Sequence, residues 1–212
     1  MPQVPDESRG AQVEGIRLPF VESISADTDL LVVVAGGVGS WDPLGAAAER
    51  SIQRYLEAGG GVVLLLPGKN VSGLEGLLSR SGIDVGPGLV AEEIALEQGL
   101  IRPAFVAVGR QVHPRHPVTA PFLKRGLNAR FSPARVLQLS EGATPLLTTG
   151  PGAWVERDGR MAQRDPGESP SPQVIAAASE VGAGRLIVVS SWTAVLNALW
   201  QGDSRRFLLA CF

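Results

Sequence analysis

The chain has 212 residues, of which 44% are hydrophobic and 19% charged, and its formal net charge is −2. This composition excludes an intrinsically disordered chain and argues against a general nucleic-acid binder, which carries a basic excess. The single cysteine, Cys211, excludes an internal disulfide, and no apolar run reaches the roughly 18 residues of a membrane-spanning helix. We therefore expect a soluble domain with no transmembrane segment in this chain, in a compartment that composition leaves open.

The first predicted structure is a βαβ unit that follows a flexible lead-in over residues 1–12. Leu30 to Ala35 and Val62 to Leu66 are unbroken apolar runs, which is typical of parallel strands buried on both faces. Between them, residues 46–56 carry an apolar stripe at helical spacing, and Gly59, Gly60 and Gly61 end the helix. Asp42 is interpreted as the N-cap of this helix. The pattern predicts an α/β fold with a mostly parallel central sheet.

The rest of the chain reads as further short strands and helices of one domain over residues 13–212. Strands are predicted at residues 15–21, 83–90, 105–108, 136–139, 145–149, 154–156, 174–179 and 186–190. Helices are predicted at residues 71–81, 193–200 and 205–212, with a helical turn at 120–124. The loop at residues 165–172 is too short to separate two cores.

Glycines follow both strands of the βαβ unit, at the strand ends where α/β folds hold their ligands. Gly36 and Gly37 follow the first strand, but Trp41 and the next two residues break the spacing of a dinucleotide fingerprint. Gly68 and Asn70 follow the second strand without the remainder of a phosphate-binding loop. We therefore interpret these segments as turns and predict no cofactor.

Neither the histidines nor the serines form a recognisable catalytic pattern. His113 and His116, each followed by proline, are better explained as parts of an extended connection than as metal ligands, so no metal is predicted. Ser190 and Ser191 follow the buried strand LIVVSS, but the motif of a serine hydrolase is absent. We predict that the chain is not an enzyme.

Two other sets of residues have an ordinary structural interpretation beside a functional one. Trp192 and Trp200 lie about two helical turns apart, so they either cover the edge of the core or form a partner surface. The basic residues between 115 and 135 are interpreted as solvated surface rather than as an anion site. They are Arg115, Lys124, Arg125, Arg130 and Arg135.

Seven stretches in order resemble one family. They are DTDLLVVVAGG, YLEAGGGVVLLLPG, LLSRSGIDV, HPVTAPF, FSPARVLQL, TPLLTTGPGAWVE and GRLIVVSS. The chain resembles the GldG-type auxiliary component of ABC transport systems, known from gliding motility and related to the amino-terminal domain of intraflagellar transport proteins and to DUF4350-like domains. The resemblance implies a flavodoxin-like or class I glutamine-amidotransferase-like three-layer sandwich without a catalytic triad. It also implies an extracytoplasmic or membrane-peripheral location.

Two functions are expected from these observations. The first is a non-catalytic binding or scaffold domain of an ABC-type export or gliding-motility system, with permease or ATPase subunits or a membrane complex as protein partners and homo-oligomerisation left open. The alternative is a small-molecule or sugar-binding domain that uses the cleft at the strand carboxyl ends. A degenerate hydrolase using Ser190 or Ser191 ranks last. The candidate contact residues are Gly36, Gly37, Trp41, Gly68, Asn70, His116, Ser190, Ser191 and Trp192.

Overall fold

Two curled β-sheets form the frame of the protein in the computed structural model. The model describes residues 24–25, 27–35, 43–68, 71–95, 101–124, 126–158, 164–168, 170–195 and 202–211. The larger sheet has seven strands in the order β1-β2-β11-β10-β8-β5-β6, and the smaller has the order β4-β3-β7, with β9 also paired to β3. The strands of the larger sheet are β1 (Leu30–Val34), β2 (Gly61–Leu65), β5 (Ala107–Val112), β6 (Ala129–Phe131), β8 (Ala143–Thr149), β10 (Val174–Val181) and β11 (Gly184–Val189).

The smaller sheet and the helices complete the described elements. The strands of the smaller sheet are β3 (Ile83–Ala95), β4 (Ile101–Ala104), β7 (Arg135–Leu139) and β9 (Trp154–Glu156). The α-helices are α1 (Ala46–Glu57), α2 (Glu75–Arg80) and α3 (Gly202–Cys211), and 3-10 turns cover Ala120–Phe122 and Trp192–Val195. No described helix is both long enough and apolar enough to cross a bilayer.

The predicted βαβ unit is present. β1 and β2 pair in parallel, from Leu30 opposite Gly61 to Val34 opposite Leu65. α1 buries the predicted stripe, including Ile52, Tyr55 and Leu56, against the sheet. The helix begins after Gly45 as N-cap, so the predicted cap at Asp42 is wrong.

The predicted fold class is wrong, because the described part of the chain is mostly β and only 22% helical. Among the described strands, two pairs are parallel, β1 with β2 and β2 with β11, while β10, β8, β5 and β6 continue the sheet antiparallel. β10 returns directly into β11 through a turn at Gly182, whose φ of +62° favours glycine. Antiparallel neighbours joined by such turns need no crossover helix, so the helical layers of a flavodoxin-like or amidotransferase-like sandwich do not form.

The apolar core lies on both faces of the larger sheet. β2 contributes Val62 and Leu64 to the cluster under α1 and α2, and Val63 and Leu65 to the opposite cluster under α3 and the smaller sheet. This two-sided burial explains why β2 is apolar at every position. β1 does not share it, because Val32 and Val34 remain 39% and 41% exposed. The expectation that both strands are covered on both faces therefore holds for β2 alone.

Other predicted elements are recovered with shifted bounds. The helix predicted at 71–81 is the shorter α2, and the strand predicted at 83–90 extends to Ala95 in β3. β4 and β6 were not predicted. The strand predicted at 15–21 and the part of the predicted helix after Val195 lie outside the described residues.

Candidate binding cleft at the carboxyl end of β2

Three of the predicted strand-end residues lie beside one another. β2 and β11 are parallel neighbours, so Gly68 and the serines after Val189 lie together beyond the carboxyl ends of these two strands. The backbone joins the two ends, because Leu66 donates to the Val189 carbonyl at 2.9 Å and Trp192 donates to the Leu66 carbonyl at 2.7 Å. The other predicted strand-end residues, Gly36, Gly37, Trp41 and Asn70, lie outside the described residues.

Ser190 and Ser191 are buried parts of the framework. The Ser191 hydroxyl lies 2.7 Å from the Thr193 hydroxyl, which donates to the Ser132 carbonyl at 2.7 Å. The Ser190 carbonyl accepts from the Arg135 backbone N–H at 3.2 Å, which connects the larger sheet to β7 of the smaller one. The Ser190 Oγ is buried without a hydrogen-bond partner in the described part of the chain. These contacts assign both serines to the joint between the sheets.

The histidines lie at the opposite end of the strands of the larger sheet from these serines. β11, β10, β8 and β5 alternate in direction, so the turn after β5 lies at the end of the sheet away from the carboxyl end of β11. His113 and His116 shape this turn, since both of their carbonyls accept from the Thr119 hydroxyl, at 2.6 and 3.0 Å. Burial, followed by the neighbouring His113, lowers the pKa of His116. The structure therefore does not bring His116 to the strand-end residues.

Trp192 and Cys211 belong to the edge of the core. Trp192 is partly buried against the cluster under α3, and Trp200, its proposed companion, lies outside the described residues. Cys211 on α3 is buried in the same cluster, and burial raises the pKa of its thiol to about 12. A thiol in that environment behaves as a small apolar side chain rather than as a nucleophile.

A cleft of about 270 Å³ opens where the carboxyl end of β2 meets the smaller sheet. Its walls come from β2, β3, the β4–β5 turn, β7 and β9, so both sheets build it. The lining residues are Gly68, Gly88, Leu89, Phe105, Arg135, Glu156, Arg157 and Asp158. Of the predicted contact residues that the structure describes, Gly68 is the one that lines this cleft.

Two glycines allow the chain segments to approach one another at the cleft. A Cβ on Gly68 would overlap the ring of Pro133. Gly88 has a φ of +89°, and a Cβ there would lie 2.6 Å from the Glu156 carbonyl oxygen. Side chains at either position would push β2 or β9 out of place, so these glycines set the position of the cleft walls.

Glu156 is the most unusual polar group of the cleft. It ends β9 opposite Leu89 of β3 and is only 2% exposed. Its Oε1 accepts from the Asp158 backbone N–H at 3.1 Å, whereas its buried Oε2 receives no hydrogen bond from any N–H or hydroxyl of the described residues. Burial, and then a hydrogen bond to the Asp158 carboxyl, raises the pKa of Glu156. Glu156 is therefore a buried carboxyl group whose ionisation is opposed by its surroundings.

Two arginines give the cleft positive charge. The Arg135 Nη2 donates to the Gly86 carbonyl at 3.1 Å. Burial lowers the pKa of Arg135, while the charge of Glu75 acts in the opposite direction. Arg157 is exposed, and its backbone N–H donates to Glu168 at 3.3 Å. The cleft thus presents carboxyl and guanidinium groups within one small volume.

The charged residues of the cleft were not predicted from the sequence, because each of them is of a type that is common on protein surfaces. Arg135 was grouped with solvated basic residues, and Glu156 with Asp158 is a common surface pattern. One signal was available: residues two apart in an extended segment point to the same side, so Glu156 and Asp158 form a carboxyl pair if β9 continues beyond its last residue. The burial of Glu156 depends on its pairing with β3, which is more than 60 positions earlier in the chain.

A second cavity, of about 260 Å³, lies between α3 and the turn at Ala120–Phe122. Leu209 of α3 lines this cavity and is 51% exposed, and Leu123 nearby in sequence is also exposed. α3 is fixed beneath it by Ser204, whose hydroxyl accepts from the Arg130 N–H at 2.9 Å and donates to the Arg130 carbonyl at 3.1 Å. This apolar face is a second candidate contact surface.

Comparison with known proteins supports the fold but does not assign the chain to a family. No family model and no curated protein matches the chain. Among solved structures, the chain is similar to the mmIFT52 N-terminal domain with a TM-score of 0.60 and 17% identity, over 85% of this chain and 73% of that one. At that identity the likeness is one of fold, and it agrees with the intraflagellar-transport part of the resemblance. The terms ABC transport and gliding motility receive no support and are withdrawn.

Two further structures align less closely. A cytoplasmic protein from Salmonella typhimurium LT2 has a TM-score of 0.48 and 14% identity, over 94% of this chain and 80% of that one. The β-galactosidase from Rahnella sp. R3 has a TM-score of 0.45 and 16% identity, over 86% of this chain but only 22% of the enzyme. Neither alignment is close enough to bear on function.

Proposed function

We propose that the protein is a non-catalytic binding domain that holds a small polar ligand in the cleft at the carboxyl end of β2. The observation that carries this proposal is Glu156, which is one of the residues that line the cleft and whose buried Oε2 has no hydrogen-bond partner among the described residues. Proteins seldom leave such a group without a partner, because an unmatched buried polar atom costs about 1–3 kcal/mol. A bound ligand that donates a hydrogen bond would remove this cost.

Binding is favoured over catalysis by the placement of the candidate nucleophiles. Ser190 and Ser191 are held in the joint between the sheets. They lie at the end of the larger sheet opposite the end that carries His113 and His116. A serine hydrolase needs its base within hydrogen-bonding distance of the nucleophile. The carboxyl and guanidinium groups of the cleft, in contrast, are arranged for recognition of a polar molecule.

The experiment is an NMR titration of the ¹⁵N-labelled protein with the small-molecule fraction of a lysate from the source cells. We expect shifted amide signals from Gly68, Gly88, Phe105 and Asp158, and none from the α3 face. The protein fraction of the same lysate is the comparison sample. Unchanged cleft signals with a fraction concentrated well above cellular levels would contradict the proposal.

A second candidate function, the docking of a partner protein, keeps the scaffold role expected from the resemblance. It is favoured by the exposed Leu123 and Leu209 beside the cavity of about 260 Å³ at α3. The same titration distinguishes the two candidates. A docking scaffold would give shifts or line broadening at Leu209 and Ala210 with the protein fraction, while the cleft signals stay in place.

A further inference from the structure

We infer that the ligand of the cleft is a small zwitterion of amino-acid size, with its ammonium group at Glu156 and Asp158 and its anionic group at Arg157 and Arg135. This inference rests on the proposed binding function and names the chemistry of its ligand. It is carried by the opposite charges that line one small cleft and by the unsatisfied carboxyl oxygen among them.

The carboxyl side of the cleft fits an ammonium group. Glu156 Oε2 is buried and faces no N–H or hydroxyl of the described chain, although Glu156 Oε1 already accepts from the Asp158 backbone. Glu156 Oε2 offers an acceptor position, and the neighbouring Asp158 carboxyl adds negative charge when it is ionised. A cationic donor suits both features, and hydrogen bonds between ions are about twice as strong as neutral ones.

The guanidinium side fits an anionic group such as a carboxylate. Arg157 follows Glu156 directly, and Arg135 lines the same cleft from β7. Arginine presents donors in a planar fork that matches the two oxygens of a carboxylate. Because Glu75 balances part of the charge of Arg135, Arg157 is expected to supply most of the attraction.

The size and the remaining walls limit the ligand further. A volume of about 270 Å³ is below the roughly 300–1,000 Å³ of sites for drug-sized molecules. Leu89 and Phe105 add apolar wall, which suits a short side chain. A molecule with two opposite charges and a small apolar group meets all of these conditions.

The test is calorimetric titration with the twenty proteinogenic L-amino acids, each at millimolar concentration, against ethylamine, propionate and glucose. We expect at least one amino acid to bind, and ethylamine and propionate to bind at least tenfold more weakly. Glu156→Gln should weaken the amino acid at least tenfold, whereas the exposed carboxyl variant Glu180→Gln should leave its affinity unchanged. Arg157→Gln should weaken the amino acid but not ethylamine. NMR spectra of each variant check that it is folded.

Contrary outcomes separate this inference from the function on which it rests. If the lysate fraction shifts the cleft signals but no amino acid binds, the binding function stands and the zwitterion is wrong. Binding of glucose alone would replace the zwitterion with a neutral polyol. Equal affinity for ethylamine and the amino acid would overturn the role of the arginines, and full binding by Glu156→Gln would overturn that of the carboxyl pair.

Discussion

Gly68 determines how closely the end of β2 can approach the smaller sheet. A Cβ at this position would overlap the Pro133 ring, which cannot move aside like a flexible side chain. Gly68→Ala is therefore expected to lower the free energy of unfolding by about 1–3 kcal/mol, the usual cost of overpacking. Urea unfolding followed by circular dichroism measures the change.

The matched control for this substitution is Gly152→Ala. Gly152 is exposed, and a Cβ there would have no atom within 4 Å. We expect a change within about 0.5 kcal/mol, as for surface substitutions generally. Equal effects of the two substitutions would mean that Pro133 does not constrain the end of β2.

Glu156 makes stability depend on pH with a definite sign. Its pKa is raised in the folded protein above the ordinary value of 4.5, chiefly by burial, so the folded state binds a proton that the unfolded state has lost. The stabilising contribution is complete below pH 4.5 and is lost as pH rises through the raised pKa. Glu156→Gln, which cannot ionise, should become more stable than the wild type over that interval, by about 1.4 kcal/mol for each unit of the pKa difference.

Urea titrations of both proteins between pH 4 and pH 8 measure this difference. We expect it to grow from pH 4.5 upwards and then to level off. Glu141→Gln, which also removes one carboxyl group but at an exposed position, is the matched control. A parallel pair of curves for Glu156→Gln and the wild type would contradict a raised pKa of Glu156 in the folded protein.

At the scale of the elements, β1 is exposed on one face, although its sequence is typical of a strand that is buried on both faces. Val33 is 2% exposed, whereas Val32, its neighbour on the other face, is 39% exposed. Threonine keeps the shape and strand preference of valine but adds a hydroxyl group. Val33→Thr should therefore cost about 1–3 kcal/mol through burial of that hydroxyl, and Val32→Thr should stay within about 0.5 kcal/mol.

The comparison of these two variants by thermal unfolding has a clear contrary outcome. If Val32→Thr destabilises the protein as much as Val33→Thr, both faces of β1 are covered in solution, as the apolar run Leu30–Ala35 first indicated. The control variant at a fully buried strand is Val63→Thr on β2, which is expected to match Val33→Thr.

The local sequence pattern predicted individual helices and strands, but it did not predict the order and direction of the strands in the larger sheet. The stripe on α1 and the apolar run of β2 depend on spacing within about twelve residues, and both are present. The antiparallel order of β10, β8, β5 and β6 depends on pairing between segments far apart in sequence, which strand pattern alone does not encode. The parallel character of the first unit was extended to strands that instead pair antiparallel, and the fold class was wrong for that reason.

The same limit applies to the cleft. Gly68 was predicted because strand ends of α/β units are common binding positions. Glu156 and Arg135 acquire their roles only when β9 and β7 are placed beside β3 by long-range pairing. His116 was excluded from the cleft in the same way, since the direction of β5 follows from three successive antiparallel pairs.

At the scale of the whole molecule, the two sheets share their core and their hydrogen bonds. The cluster under α3 contains Val63 from the larger sheet and Val136 from the smaller one, and Arg135 N–H donates to the Ser190 carbonyl between them. The single domain predicted from the sequence should therefore unfold in one step. We expect the calorimetric and van't Hoff enthalpies to agree, which is the test for a two-state transition.

Substitutions in the two sheets provide the sharper measurement of this cooperativity. Val63→Ala in the larger sheet and Leu137→Ala in the smaller one both remove buried methyl groups, and Leu→Ala in a core costs about 2–5 kcal/mol. If the sheets form one unit, each substitution lowers the melting temperature of the same transition, detected alike by tryptophan fluorescence and far-ultraviolet circular dichroism. Separate transitions, one moved by Val63→Ala and the other by Leu137→Ala, would divide the chain into two units. The cleft would then lie across a joint that can open independently of either core, and its ligand would stabilise the joint rather than the sheets.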